Sequence, residues 1–355
     1  MDIDDIFQIM IDKDSSDLFV RVGSPLKARI DNKVKTISEN KIGVEELNSL
    51  IKKIPDMQAK EDLKNKKNCE FTFWYKEYWR FRISIFFQRN TPAIVIRKID
   101  LRIGSFQELG LPDKVLTNLA NQRRGLVLLT GTTGSGKSTT IAAMLEYINK
   151  NSGYHILTIE EPIEFIFKDK LSIINQRGIG KDVINYKEAL KQFALHSPDV
   201  IFIGNIRDAE TCHAALTAAE TGVLVFSTIH TIDAVSTIQR VVNFFPPHQH
   251  KLIISQLSIL LKGVVSQRLL PKCEGGLIPA YESMLLSPTV SRLIREGNFW
   301  EIPKYIASGD VYGMKTFNQS LLELVESKKI THQVALEYSG KREDLEIELR
   351  NKNLI

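Results

Sequence analysis

The sequence predicts an α/β chain of two domains. An α+β domain is expected over residues 1–100, then a linker at 101–111, then a mostly parallel sheet covered by helices over 112–355. Three observations lead there. At 355 residues the chain is too long for one ordinary domain and long enough for two cores. The stretch GLVLLTGTTGSGKSTTI, residues 125–141, passes from an apolar strand through a glycine-rich turn into a helix start. From Leu111 onward, strand-like runs alternate with helix-like ones over short connections, and that alternation requires parallel pairing.

Composition narrows the class. Hydrophobic content of 43% and charged content of 25% are those of a globular protein and exclude a disordered or fibrous chain. No stretch reaches the roughly eighteen apolar residues that a membrane span needs, and residues 1–14 are too acidic for a signal peptide, so a cytoplasmic protein is expected. The net charge of +5 permits an acidic partner, but the lysines are scattered among acids, so nucleic acid is not expected. Cys69, Cys212 and Cys273 are far apart and form no C-x-x-C pair, which predicts reduced thiols, with Cys212 buried.

The elements follow in order. Ile3, Ile6, Phe7 and Met10 share a helical face within residues 1–11. An alternating run at 18–30, broken at Gly23-Ser24-Pro25, predicts a hairpin. Residues 45–54 and 57–64 read as helices. Residues 69–87 read as paired strands rich in Phe71, Phe73, Tyr75, Trp79 and Phe81, and 93–99 as another strand. Beyond the linker, strands are expected at 126–130, 156–160, 173–176, 200–204 and 223–228, as in RecA-like nucleotide-binding cores. After His230 the chain reads as helices, at 234–244, 249–261, 287–296 and 317–327, and about residues 285–355 form a helical C-terminal part.

Chemistry concentrates at the strand ends. Gly131, Gly136, Lys137 and Ser138 fill the phosphate-loop pattern G-x-x-x-x-G-K-[ST]. Backbone N–H groups from Thr132, Thr133, Gly134, Ser135 and Gly136 through Thr139 wrap phosphates, Lys137 neutralises them, and the Ser138 hydroxyl meets Mg²⁺. The helix that follows adds its positive N-terminal end. Glu160, Glu161 and Glu164 stand just past another strand end, where a carboxylate can polarise an attacking water. Asn205 closes the strand at 199–204, at a position where an acid usually holds a Mg²⁺-bound water. His230 ends a further strand and is placed to sense a γ-phosphate; by itself it would be an ordinary structural histidine.

GTTGSGKSTT, HILTIEEPIEF, SIINQR, SPDVIFIGNIRD, ALTAAETG, STIHT and RVVNFFP stand in the order and spacing of the type II/IV secretion traffic ATPases. The chain resembles their pilus-retraction branch (PilT and PilU type) over essentially its whole length, with SDLFVRVGSP, RFRIS, SRLIREG and TFNQSL extending the likeness to both ends. The resemblance implies a PAS-like N-terminal domain, a RecA-like ATPase domain, ATP with Mg²⁺, and a homohexamer at the inner-membrane base of a pilus machine. Its implied partners are the inner-membrane platform protein and a related pilus motor ATPase, with membrane contact only through partners. By position, Lys137 and Ser138 match Walker A; Glu160, Glu161 and Glu164 the Asp box, with Glu164 as general base; and His230 the His box. Arg82 in RFRIS and Arg97 in IVIRKID match N-terminal arginines that reach nucleotide phosphates. With only Cys273 in the C-terminal region, the zinc site of extension-type relatives is not expected.

Three positions depart from the pattern. Asn205 replaces the Walker B glutamate, Val223 replaces a histidine, and Arg177-Gly178 stands where Arg-Glu is usual. An amide supplies hydrogen bonds but no negative charge, so ATP binding is expected to survive while hydrolysis is slow, depends on a neighbour, or draws on Asp208 or an Asp-box carboxylate. The expected function is therefore an ATP-driven retraction motor. The alternatives are a weakly hydrolysing accessory subunit, a related secretion ATPase, or a nucleic-acid motor, the last of which needs a basic, aromatic-lined channel.

Overall fold

The computed structural model describes residues 3–30, 33–53, 57–76, 79–100, 102–309 and 312–355. Met1 and Asp2 of the expected first helix, Ile54 of the second and Leu101 of the linker lie outside the described residues. The chain divides into two compact units, Met1–Arg102 and Ile103–Ile355.

The first unit runs α1 (Ile3–Asp12), β1 (Asp17–Arg21), β2 (Pro25–Ile30), β3 (Lys33–Lys41), α2 (Val44–Lys52), α3 (Met57–Lys66), β4 (Asn68–Tyr75), β5 (Trp79–Gln88) and β6 (Thr91–Asp100). The strands form one sheet in the order β3-β2-β1-β6-β5-β4, with every pairing antiparallel. Alternation along β5 sends Phe81, Ile83 and Ile85 into the core, where Phe7 of α1 stacks on Phe81 with ring centroids 4.1 Å apart. Strand β3 was not anticipated from the sequence. It is an edge strand with no buried residue, and its lysines give no apolar alternation to read.

The second unit runs α4 (Asp113–Ala120), β7 (Gly125–Thr130), α5 (Lys137–Asn151), β8 (His155–Glu160), β9 (Ile173–Gly178), α6 (Tyr186–Gln192), β10 (Val200–Ile203), α7 (Ala209–Glu220) and β11 (Leu224–Ile229). It continues with α8 (Ala234–Asn243), α9 (His250–Leu260), β12 (Leu261–Pro271), β13 (Leu277–Leu285), α10 (Pro288–Glu296), α11 (Ile302–Ala307), α12 (Phe317–Glu326), α13 (His332–Tyr338) and α14 (Arg342–Asn351). Phe106 and Leu111 are buried in this unit's core, so residues of the expected linker fold with it. The seven-stranded sheet has the order β13-β12-β7-β11-β10-β8-β9. All its pairings are parallel except that of β12 with β13. Strands β7, β10 and β11 are buried along their whole length, as central strands covered on both faces must be.

The helices-only reading after His230 is corrected by β12 and β13. Leu261, Val264, Val265 and Leu270 are fully buried and polar Ser266 and Gln267 are buried beside them, so β12 (LKGVVSQRLLP) shows no apolar–polar alternation that would mark it as a strand. Beyond it, Leu270, Ile278, Phe317, Leu321, Leu345 and Leu349 build a separate small core beneath α12–α14. Cys69 and Cys212 are buried, Cys273 is exposed, and all three are free thiols. Among the described residues, no helix is long and apolar enough to cross a membrane.

Candidate nucleotide site

The site grows from the shared direction of the parallel strands. Because β7, β8, β10 and β11 run the same way in near register, their C-terminal ends line one edge of the sheet, where α/β sheets bind ligands. A cavity of about 390 Å³ opens there. Its lining includes Thr133 through Thr139, Glu160, Glu161, Glu164, Asn205 and His230. Thr132 is exposed at the start of the loop and enters through its carbonyl.

Glycine is obligatory in the loop. Gly131 has φ 145°, and a Cβ there would meet Ser135 Oγ at 2.4 Å and the Gln267 carbonyl at 2.5 Å. Gly136, with φ 91° in the left-handed region, is the N-cap of the 15-residue helix α5. Lys137, 8% exposed, donates through Nζ to the carbonyl oxygens of Gly131 and Thr132, at 2.8 Å each. An ammonium has three N–H bonds, so one is left for a ligand. Burial pulls the Lys137 pKa down while Glu164 raises it.

The carboxylates divide by environment. Glu160 is 7% exposed and accepts from Thr158 Oγ1 at 2.6 Å and from Gln176 Nε2 at 3.3 Å. Burial raises its pKa, partly offset by these bonds and by the Glu164 backbone N–H. Glu161 is exposed and pairs with Arg207 at 3.4 Å, whereas Glu164 is an exposed carboxylate on the cavity wall. His230 has its pKa lowered by burial and by the charges of Lys137 and Arg207, while a hydrogen bond to the Gly131 backbone opposes the shift.

Asn205 is 8% exposed, and its side-chain oxygen is buried with no hydrogen-bond partner. A lone hard oxygen on this wall, together with the Ser138 hydroxyl, suits Mg²⁺, which keeps most of its waters and takes few protein ligands. Asp208, weighed from sequence as a substitute acid, instead caps α7 by accepting from the Thr211 N–H at 2.8 Å.

Arg82 and Arg97 belong to the first unit, where they stand directly opposite each other on β5 and β6. Arg97 Nε bonds buried Asp17 at 2.8 Å, and Arg82 Nε pairs with Glu70 at 3.4 Å. Each tie engages the Nε edge of the guanidinium. Sequence reasoning missed Tyr186, a cavity residue whose phenol is pushed up to about 12 by burial and by nearby Glu161, and it gave Arg207 no role. No local pattern marks Tyr186; Arg207 had the signal of lying two residues past Asn205.

Residues 1–339 match the family model described as Type II/IV secretion system protein. The type IV pilus retraction ATPase PilT of Pseudomonas aeruginosa is 38% identical over 95% of this chain and 98% of its own length. The type IV pilus ATPase PilU of the same organism is 35% identical over 99% of this chain and 92% of its own. A crystal structure of the pilus retraction motor PilT with bound ADP superposes with a TM-score of 0.87 at 40% identity, covering 98% of this chain and 99% of that one. The ATPase DotB of Legionella pneumophila shares the fold, with a TM-score of 0.81 at 23% identity over 94% of this chain and 93% of its own. The chain belongs to the type II/IV secretion system protein family.

Proposed function

We propose that this protein is an ATP-driven motor that powers type IV pilus retraction, acting as a homohexamer at the cytoplasmic, inner-membrane base of the machine. The observation that supports it most is the gathering of Lys137, Glu164, Asn205 and His230 in one cavity behind a glycine-built phosphate loop. The likeness to retraction ATPases over nearly the full chain says what the energy drives.

In this reading the loop amides, the α5 N-terminus and Lys137 bind the phosphates of ATP. Ser138 and Asn205 would hold Mg²⁺, which supplies charge neutralisation at the β- and γ-phosphates. Glu164 takes the proton of a water as its oxygen bonds the γ-phosphorus, and the bond to the ADP oxygen breaks. Glu160, bonded to Thr158 and Gln176, is the poorer base because its lone pairs are already engaged. His230 ties its strand end to Gly131 and reports the γ-phosphate, and Arg82 and Arg97 add guanidinium contacts to the phosphates. Partners are the inner-membrane platform protein and a related pilus motor ATPase, without nucleic acid.

The test pairs a steady-state ATPase assay with retraction in a complemented strain. Lys137→Ala is expected to lower both through weakened nucleotide binding; retraction that continues unchanged in Lys137→Ala overturns the motor reading. Asn205 favours a second reading, a nucleotide-binding accessory subunit of PilU type, because its amide brings no charge to the metal. Wild-type turnover equal to that of Asn205→Glu removes that alternative.

A further inference from the structure

Gln267 is not among the residues of the cavity wall, yet it contacts the first residue of the phosphate loop and the helix that follows the loop. It is 1% exposed on β12. Its Nε2 donates to Thr140 Oγ1 at 2.9 Å, which ties β12 to the first turn of α5. Its backbone carbonyl presses against Gly131, the first residue of the loop, where a Cβ would meet it at 2.5 Å. One residue of β12 therefore holds both ends of the loop.

Two polar atoms in this region are buried without a partner, Gln267 Oε1 and Ser135 Oγ, and Ser135 is 3% exposed. The amide oxygen only accepts, whereas the hydroxyl can donate. Ser135 Oγ borders the same Gly131 that the Gln267 carbonyl borders. Ser135 Oγ and the Gln267 backbone carbonyl thus lie on the same side of Gly131, and a buried donor and a buried acceptor that each lack a partner are costly while apart.

We propose that Gln267 is a positioning residue for the phosphate loop: its amide nitrogen anchors α5, and its free oxygen accepts from the Ser135 hydroxyl when the loop closes on phosphate. The proposal rests on the reading of this loop as the ATP site. Gln267 then acts on nucleotide affinity and not on the chemical step, since neither of its amide atoms faces the reacting water.

Binding of a fluorescent ATP analogue, steady-state kinetics and nucleotide-free thermal unfolding of the full chain test it in Ser135→Ala, Gln267→Met and the double variant. Each single change is expected to weaken binding and raise KM about tenfold, or ~1.4 kcal/mol, with kcat within about twofold. The double variant is expected to bind no more weakly than the weaker single, because Ser135→Ala removes only the pairing that Gln267→Met has already removed along with the tie to α5. Thr140→Val, which cuts only the tie to α5, replaces Gln267→Met if the latter does not fold. Independent, additive losses overturn the pairing, and so does unchanged affinity in a variant that merely melts earlier. Wild-type protein that binds no nucleotide overturns the ATP reading itself; wild-type protein that binds while the variants match it overturns this inference alone.

Discussion

The ends of β7 and β10 stand at the same sheet edge and differ in how complete they are. At the end of β7 the cation is already in place, with Lys137 bonded to the Gly131 and Thr132 carbonyls and α5 behind it. At the end of β10, Asn205 offers a buried oxygen with no partner and no charge. In the proposed reading the first end receives phosphate and the second would hold a metal only weakly. Binding and turnover are thus separable properties of neighbouring strands, and mutations at each end should move different constants.

The largest effect belongs to Glu164, the water-activating carboxylate of the proposed mechanism. Glu164→Gln is expected to lower kcat by on the order of 10²–10³ while nucleotide affinity stays near wild type, because a general base acts only in the transition state. A matching loss of affinity would place Glu164 in binding and erase the distinction. Next is Lys137→Ala, for which equilibrium binding should fall about 100-fold, or ~2.7 kcal/mol, as charge-assisted bonds to phosphate disappear. Smaller again is Asn205→Glu, which puts a negative charge where the proposed Mg²⁺ would be held. A gain in kcat of about tenfold is expected, ~1.4 kcal/mol, with binding little changed. No gain would show that β10 is as complete as β7.

What the sequence made legible was local. The phosphate loop shows because the tight approach at Gly131 and the left-handed backbone at Gly136 admit only glycine, so chemistry and pattern coincide. Strands β7, β8, β10 and β11 show because short apolar runs stop at polar residues, and those polar residues are the site. What stayed hidden depends on distant partners. Strand β12 carries no alternation because both its faces are covered, and the meaning of Gln267 comes from Thr140, far away in sequence. Asp208 looked like a spare acid until its role as helix cap was visible. Tyr186 lines the cavity only because α6 folds back toward the Glu160 strand end, a placement no spacing announces.

The smallest effect on turnover concerns how the third strand end, that of β11, is held. Thr231 Oγ1 and Thr237 Oγ1 bond at 2.6 Å, Asp233 caps α8, and Glu282 on β13 accepts from the Ala234 N–H at 2.8 Å. Burial pushes the Glu282 pKa up to about 7 from 4.5, against the pull of that N–H, with Asp233 adding repulsion. In the folded state the carboxyl therefore holds its proton more tightly than in the unfolded chain. Its contribution to stability is greatest below pH 4.5, declines as pH rises to about 7, and is constant above that. Glu282→Gln keeps the acceptor and removes the charge. It should melt with the wild type at pH 4.5 and several degrees above it at pH 8, because a carboxyl held at about 7 and not at 4.5 costs on the order of 3 kcal/mol once it is ionised. Melting curves that stay parallel across that range would mean that Glu282 is ionised throughout, and that the segment after His230 is held by an ion and not by a neutral hydrogen bond.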